Sequence, residues 1–463
     1  MSVIKGGTLV TGDGKTVIKN AYVRFENDLI VDFGEGECPT TDNDVIDAAG
    51  CVVMPGVIDH HIHGVTMGPL FPSGAKPLSR EKVSSHHKKL LEQGITTILN
   101  VDGFATMREV NEARAMTPLR IQTCTSHTAT NFKAALAVDG SGLTEEHLNT
   151  TVEQMLKEGA IMVGEIGGGH TLGGGQDYLY IPKAIKEKTG VELEPMQARR
   201  LKVAVLGRHI NLDNYDSEAV KAAMKEFGLD GLMSEEEMKQ TICDCVLPSM
   251  DVALDAFTEA AQAGMRYGVP SLYHNSAPSA ERIIELSEKY PNIIAAHSAH
   301  PSFELQEALE VARIIKENGG LIDLATIDCY GAKKICDSTE SFTAFYKEDL
   351  VDMISTDYAG GNWDSPLCTL EQVVREGSTT LEKAVATATG NVAKMIPGIA
   401  PNAGVIACGK LADIILVDEN DLANVKRVII GGKTIVHDGK FESTGTCPNS
   451  RPEQKSLFPK LYV

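Results

Sequence analysis

Apolar positions change their spacing from one part of the chain to the next. Over the first 53 residues they come in short runs broken by turn residues: Thr8-Leu-Val-Thr before Gly12-Asp-Gly, then Ala21-Tyr-Val-Arg-Phe and Leu29-Ile-Val-Asp-Phe. Such runs predict β-strands joined by tight turns. Residues 410–440 have the same texture, with Ala412-Asp-Ile-Ile-Leu-Val-Asp, Val428-Ile-Ile, a Gly431-Gly432 turn and Thr434-Ile-Val. The two ends are therefore expected to pair into one small β-sandwich domain, made of residues 1–53 plus 400–445.

Between them, strand-like runs alternate with helical stretches, the pattern of a parallel sheet built from βαβ units. The runs are Val52 to Asp59, Thr96 to Asp102, Arg120 to His127, Ile161 to Gly167, Pro270 to His274, Ile293 to His297, Leu321 to Asp328 and Val351 to Asp357. The intervening stretches carry helical faces such as Leu305, Ala308, Leu309 and Ala312, which stops at Asn318-Gly319-Gly320. Eight alternating units predict an α/β fold, a closed (β/α)₈ TIM-like barrel over residues 54–399. An open doubly wound sheet has the same alternation. One connection is long: residues 176–250 hold several helical stretches, one opened by the capping box Ser234-x-x-Glu237. This insertion leaves the C-terminal end of the fourth strand, where it could be a lid, an oligomer contact or a passive addition.

The length of 463 residues suits a large domain with a small one attached, and 43% hydrophobic residues exclude both a disordered chain and a coiled coil. A net charge of −20 from scattered carboxylates argues against a nucleic-acid partner. No apolar run is long enough to span a membrane, and the start Met1-Ser-Val-Ile-Lys-Gly-Gly has no apolar signal core, so the expectation is a cytoplasmic protein without a membrane partner. The ten cysteines are irregularly spaced, with Cys243 and Cys245 too close for a zinc knuckle, and are read as ordinary thiols.

Candidate chemistry concentrates in Pro55-Gly-Val-Ile-Asp-His-His-Ile-His63. Residues two apart on a strand share a face, so His61 and His63 could chelate one cation while His60 faces away. The same spacing also arises by chance in ordinary strands. Further along, the strand runs end at Glu165, His274, His297 and Asp357, and in a barrel those ends meet in one small space. Six ligand-type residues at one rim point to a metal centre: His61, His63, Glu165, His274, His297 and Asp357. Imidazole and carboxylate ligands suit transition metals over calcium or magnesium, so two divalent ions are expected, zinc first, with iron, manganese or nickel also accepted by these ligands. Two ions about 3.5–4 Å apart need a bridging anion, a role open to Glu165 because that strand ends without a lysine.

The segment Pro-Gly-x-Ile-Asp-x-His-x-His, the later His, His and Asp in this strand order, the Ala388-Thr-Gly-Asn391 turn and the closing Gly409-Lys-Leu-Ala-Asp-Ile-Ile-Leu-Val-Asp418 resemble the amidohydrolase superfamily. The resemblance covers nearly the whole chain, apart from residues 176–250 and the tail after 440. Glu165 at the fourth strand is similar to the enamidase-like and N-acetylglucosamine-6-phosphate deacetylase-like branches, and Val163-Gly-Glu-Ile-Gly with Cys329 leans toward the former. The resemblance implies that His61, His63 and Asp357 bind one metal and His274 and His297 the other, with Glu165 bridging. It further implies hydrolysis of a C–N bond by a metal-activated water, with Asp357 as the catalytic proton carrier.

Other residues near the expected mouth are weaker candidates. His127, His170 and His300 could orient substrate, or be surface or supporting histidines. Cys329 could touch substrate, although no partner base is suggested for a nucleophilic role. The run Gly167-Gly-Gly-His-Thr-Leu-Gly-Gly-Gly175 could cradle a phosphate but lacks the Lys-Ser/Thr ending of a phosphate loop, and Trp363 could face a planar ring. Three functions compete: a hydrolase of a cyclic amide or lactam, a deaminase of a nitrogen heterocycle or an N-acetyl amino-sugar deacetylase, and a non-catalytic binding protein. A full ligand set argues against the last, and a bridging Glu165 favours amide hydrolysis over deamination. The expected partner is a small molecule, and the protein is expected to be a homo-oligomer, dimer or tetramer.

Overall fold

The computed structural model describes residues 2–38, 44–167, 172, 176–329, 338–358 and 365–442. Eight parallel strands follow one another in sequence order around one sheet: Val57–Ile62, Ile95–Asn100, Arg120–Thr125, Met162–Ile166, Ser271–His274, Ile293–Ala296, Leu321–Ala325 and Met353–Ser355. Nearly every residue in these strands is buried, because helices cover one face and packed side chains fill the other. The sheet closes on itself just beyond the eighth strand, where Asp357 N–H donates to the His61 carbonyl (3.0 Å) and His63 N–H to the Tyr358 carbonyl (3.0 Å). The fold is the TIM-like barrel that the alternation predicted.

Both ends of the chain contribute to a second, nine-stranded sheet. Its junction is antiparallel pairing of Ile414–Asp418 with Cys51–Pro55, from Ile414 opposite Pro55 to Asp418 opposite Cys51. The bidentate Arg120–Asp413 pair, with Nη2 2.9 Å from Oδ1, fastens this sheet to the third barrel strand.

The first apolar run does not form one strand. Cys51–Pro55 belongs to the terminal sheet and Val57–Ile62 to the barrel. Backbone partners switch at the glycine between them: Gly56 N–H donates to Asp413 in the terminal sheet, and Val57 N–H to Gly94 ahead of the second barrel strand. A Cβ at position 56 would lie 2.2 Å from Thr96 Oγ1, so only glycine permits so close a crossing.

The long connection after the fourth strand forms the helices Ile181–Thr189, Pro195–Leu206, Ser217–Glu226 and Glu235–Tyr267. The last runs for 33 residues from the Ser234/Glu237 capping box and packs on the helix Ala129–Val138 and on the fourth strand. Among the described residues, no helix is long and apolar enough to cross a membrane.

Candidate metal centre

The C-terminal ends of five barrel strands bring their polar residues into one cluster. Glu165 lies at its middle: Oε2 is 3.3 Å from Nε2 of both His61 and His63, and Oε1 is 2.8 Å from His274 Nδ1 and 3.7 Å from His297 Nε2. Asp357 faces the same histidines from the eighth strand, 3.5 Å from His61, 3.2 Å from His63 and 3.6 Å from His297. Two subsets have ligand atoms all within 4.8 Å of one another: His61, Glu165 and His297, and His61, His63 and Asp357. His274 joins the cluster through Glu165 and through its ring, whose centroid is 4.0 Å from that of His297. The chain leaves the sixth and eighth strands through left-handed residues, His297 (φ 60°) and Asp357 (φ 45°). That conformation costs a non-glycine residue roughly 1–2 kcal/mol and survives where surrounding contacts enforce it, a condition met often at functional sites.

A second ring of carboxylates orients the imidazoles. His63 Nδ1 lies 3.0 Å from Asp102 Oδ1, and Asp102 also accepts from the backbone N–H of Gly64 (3.1 Å) and Phe71 (2.8 Å). His297 Nδ1 lies 2.9 Å from Asp328 Oδ2. A carboxylate on Nδ1 fixes the proton there and turns the Nε2 lone pair into the cluster, the arrangement that supports histidines on metals. Burial alone would lower His63 and His297, yet the facing carboxylates carry both well above the usual imidazole range. Burial pushes Glu165 up, but His61, His274 and His297 hold it well below the usual carboxylate range. Nε2 of His61 and His297, both facing Glu165, is buried without a hydrogen-bond partner. Buried polar atoms are rarely left so, and a divalent cation among these nitrogens and oxygens is the species that fits them.

The amidohydrolase family profile matches residues 52–435, a span holding both sheets' junction, all eight barrel strands and the whole cluster. The chain belongs to the amidohydrolase family. Among related sequences, the enamidase of Eubacterium barkeri is 30% identical over 176 residues, 36% of this chain and 42% of that protein, so the match spans less than half of the relative. Among solved structures, β-aspartyl dipeptidase from Fervidobacterium islandicum AW-1 superposes with a TM-score of 0.56 at 18% identity, covering 96% of this chain and 98% of that one. D-hydantoinase (dihydropyrimidinase) from Thermus sp. gives 0.53 at 15% identity, covering 96% of each chain. At these identities the two structures share the amidohydrolase fold.

The remaining candidates scatter around this amidohydrolase site. His300 is buried, its ring centroid 5.3 Å from that of His274. His127 is buried at the end of the third strand between Phe104 and Phe132, with Nδ1 2.9 Å from Thr125 Oγ1. Burial and nearby His147 pull it down to about 3, so it is a neutral imidazole. Cys329 is buried directly after Asp328. His170, most of the glycine run 167–175 and Trp363 lie outside the described residues. His60 faces a different carboxylate, with Nε2 3.1 Å from Asp323 Oδ1.

Sequence reasoning missed Asp102 and Asp328 as orienting groups. Both close strand runs, the second and the seventh, and the rule that picked out the other six residues applied equally to them. It also missed Asp59, which accepts from the backbone N–H of His61 (3.3 Å) and Thr356 (3.2 Å) and from Thr356 Oγ1 (2.5 Å), bracing the first strand against the eighth.

Proposed function

We propose that the protein is a metal-dependent hydrolase of a carbon–nitrogen bond, with the amide of a lactam or related cyclic amide as its substrate class. The observation that carries the proposal is Glu165, one buried carboxylate within ion-pair reach of four histidines. Two divalent ions, zinc first among them, would be held here: His61, His63 and Asp357 would hold one, His274 and His297 the other, and Glu165 would bind both. Bound there, the ions would supply an acidified water and a Lewis acid for the target carbonyl.

The chain's own residues do the rest. Asp102 and Asp328 keep protons on the Nδ1 atoms of His63 and His297, so that each Nε2 is free to donate its lone pair. The side chain of Asp357 is 14% exposed while that of Glu165 is 1% exposed. Asp357 is therefore the carboxylate that substrate can reach, suited to take the proton from the attacking water and deliver it to the leaving nitrogen. The partial match to an enamidase supports an amide-type substrate.

Elemental analysis of the purified protein, after reconstitution with zinc, manganese or iron, is expected to find close to two ions per chain. Lactams, hydantoin-type rings and N-acetyl compounds should then be screened for formation of a free acid, with ammonia assayed in parallel. Acid without ammonia is the expected product. Ammonia release would shift the assignment to a deaminase, and absence of bound metal would remove the proposal.

A further inference from the structure

Beside the metal cluster lies a cavity built by the long insertion together with the loops after the fifth and sixth strands. Its walls include Leu172, Asp177, Arg199, Lys202, Pro278 and His300. The ammonium of Lys202 lies 2.7 Å from Asp177 Oδ1, and Arg199 Nε lies 3.2 Å from Asp177 Oδ2. The side chains of both cations are 11% exposed and that of Asp177 is sealed. Arg208 also reaches the cavity, but Glu307 and Glu304 pair with it. Among the described residues of the lining, Asp177 is the acid that faces these two nearly buried cations. Charge removed from water in this way is costly unless balanced.

His300 supplies a directional group. Ser302 N–H donates to His300 Nδ1 (3.1 Å), and Ser302 Oγ lies 2.7 Å from the same atom. The ring proton therefore sits on Nε2, a buried donor with no hydrogen-bond partner. Burial lowers Lys202, against the pull of Asp177, which is the sign of a site that a second anion would stabilise.

We infer that this cavity binds a carboxylate carried by the substrate, held by Lys202 and Arg199 with a hydrogen bond from His300 Nε2, while the scissile amide lies at the metal cluster. The inference rests on the proposed C–N hydrolysis and narrows its substrates to acidic amides. It also gives the insertion a task, because Asp177, Arg199 and Lys202 all come from it.

Binding of succinate, glutarate and adipate to the metal-loaded protein should be compared with binding of butyrate by calorimetry. The best-fitting diacid is expected to bind at least tenfold more tightly than butyrate, since its second carboxylate reaches the cavity. Lys202→Met should abolish that preference. Asp177→Asn should move the other way and strengthen diacid binding, because it removes the competing anion. No diacid preference in the wild type, or a preference that survives Lys202→Met, would overturn the inference. Diacid preference lost in Lys202→Met, with no lactam or hydantoin turned over, would uphold the cavity and remove the lactam reading. Hydrolysis of uncharged 2-pyrrolidinone as fast as 5-oxoproline, with no diacid preference, would do the reverse.

Discussion

Glu165 and Asp357 are carboxylates in one cluster, yet their surroundings predict different failures. Glu165→Gln weakens the anion that offsets repulsion between two cations in a low-dielectric site, so metal content and activity are expected to fall together. Asp357→Asn leaves five of the six proposed ligands and removes the proton carrier. Metal should be largely retained while turnover drops by at least ~10² with little change in substrate affinity. Metal analysis of both variants beside steady-state kinetics separates the two roles. Near-normal turnover of a fully loaded Asp357→Asn protein would move the proton to His297 or His300. The clustering of these six residues was legible in the sequence because strand register and barrel geometry send every strand end to one rim. What was not legible is which end residue joins the central cluster and which braces one histidine from outside: Asp102 and Asp328 each face the Nδ1 of a single histidine, whereas Glu165 reaches four histidines, and that is fixed by distance.

At the scale of elements, the joints between the two sheets depend on close backbone approaches. The turn Ala388-Thr-Gly-Asn391 is one: the Ala388 carbonyl accepts from Ile58 N–H at 2.9 Å, and Asn391 Nδ2 donates to the Asp352 carbonyl at 3.0 Å. A Cβ on Gly390 would stand 2.0 Å from the Gly12 carbonyl oxygen and 2.9 Å from Val405 Cγ1. Gly390→Ala is therefore expected to destabilise the fold by about 1–3 kcal/mol, as overpacking does, without altering kcat of the molecules that remain folded. Chemical denaturation of variant and parent measures it, and an unchanged midpoint would show that the two segments separate freely. The sequence marked this turn by likeness alone, whereas the structure supplies the cause. The run Val52 to Asp59 marks the limit in the other direction. Its hydrophobicity is continuous, and nothing in the pattern says that hydrogen bonding passes from one sheet to the other at Gly56. The cavity of the insertion was equally hidden, because nothing in the spacing of Asp177, Arg199 and Lys202 brings them together, and they meet His300 only through tertiary packing.

For the whole molecule, the proposed ligands do more than place a reaction. They come from the first, fourth, fifth, sixth and eighth strands, and His61, His63 and Asp357 stand on the two strands that close the barrel. Among the described residues, that seam is also joined by the two backbone bonds of His61 and His63 and by the Asp59–Thr356 contacts. Removing metal would leave acidic and imidazole groups facing one another across it, with buried nitrogens unpaired. A ligand that binds only the folded state stabilises it by an amount set by its concentration over its dissociation constant, about 4 kcal/mol at a thousandfold excess. Exhaustive chelation is accordingly expected to lower the melting temperature by several degrees, and readdition of the metal found by elemental analysis should restore it. The shift should be much smaller in Glu165→Gln, whose site holds metal poorly, and nearly complete in Asp357→Asn, which keeps five ligands. Hydrogen exchange supplies the spatial control: protection lost on chelation should concentrate in Val57–Ile62 and Met353–Ser355 and spare the terminal sheet. If chelation changed neither melting nor exchange at the seam, the cluster would not be a metal centre, and its buried charges would have to be balanced by protons on the histidines.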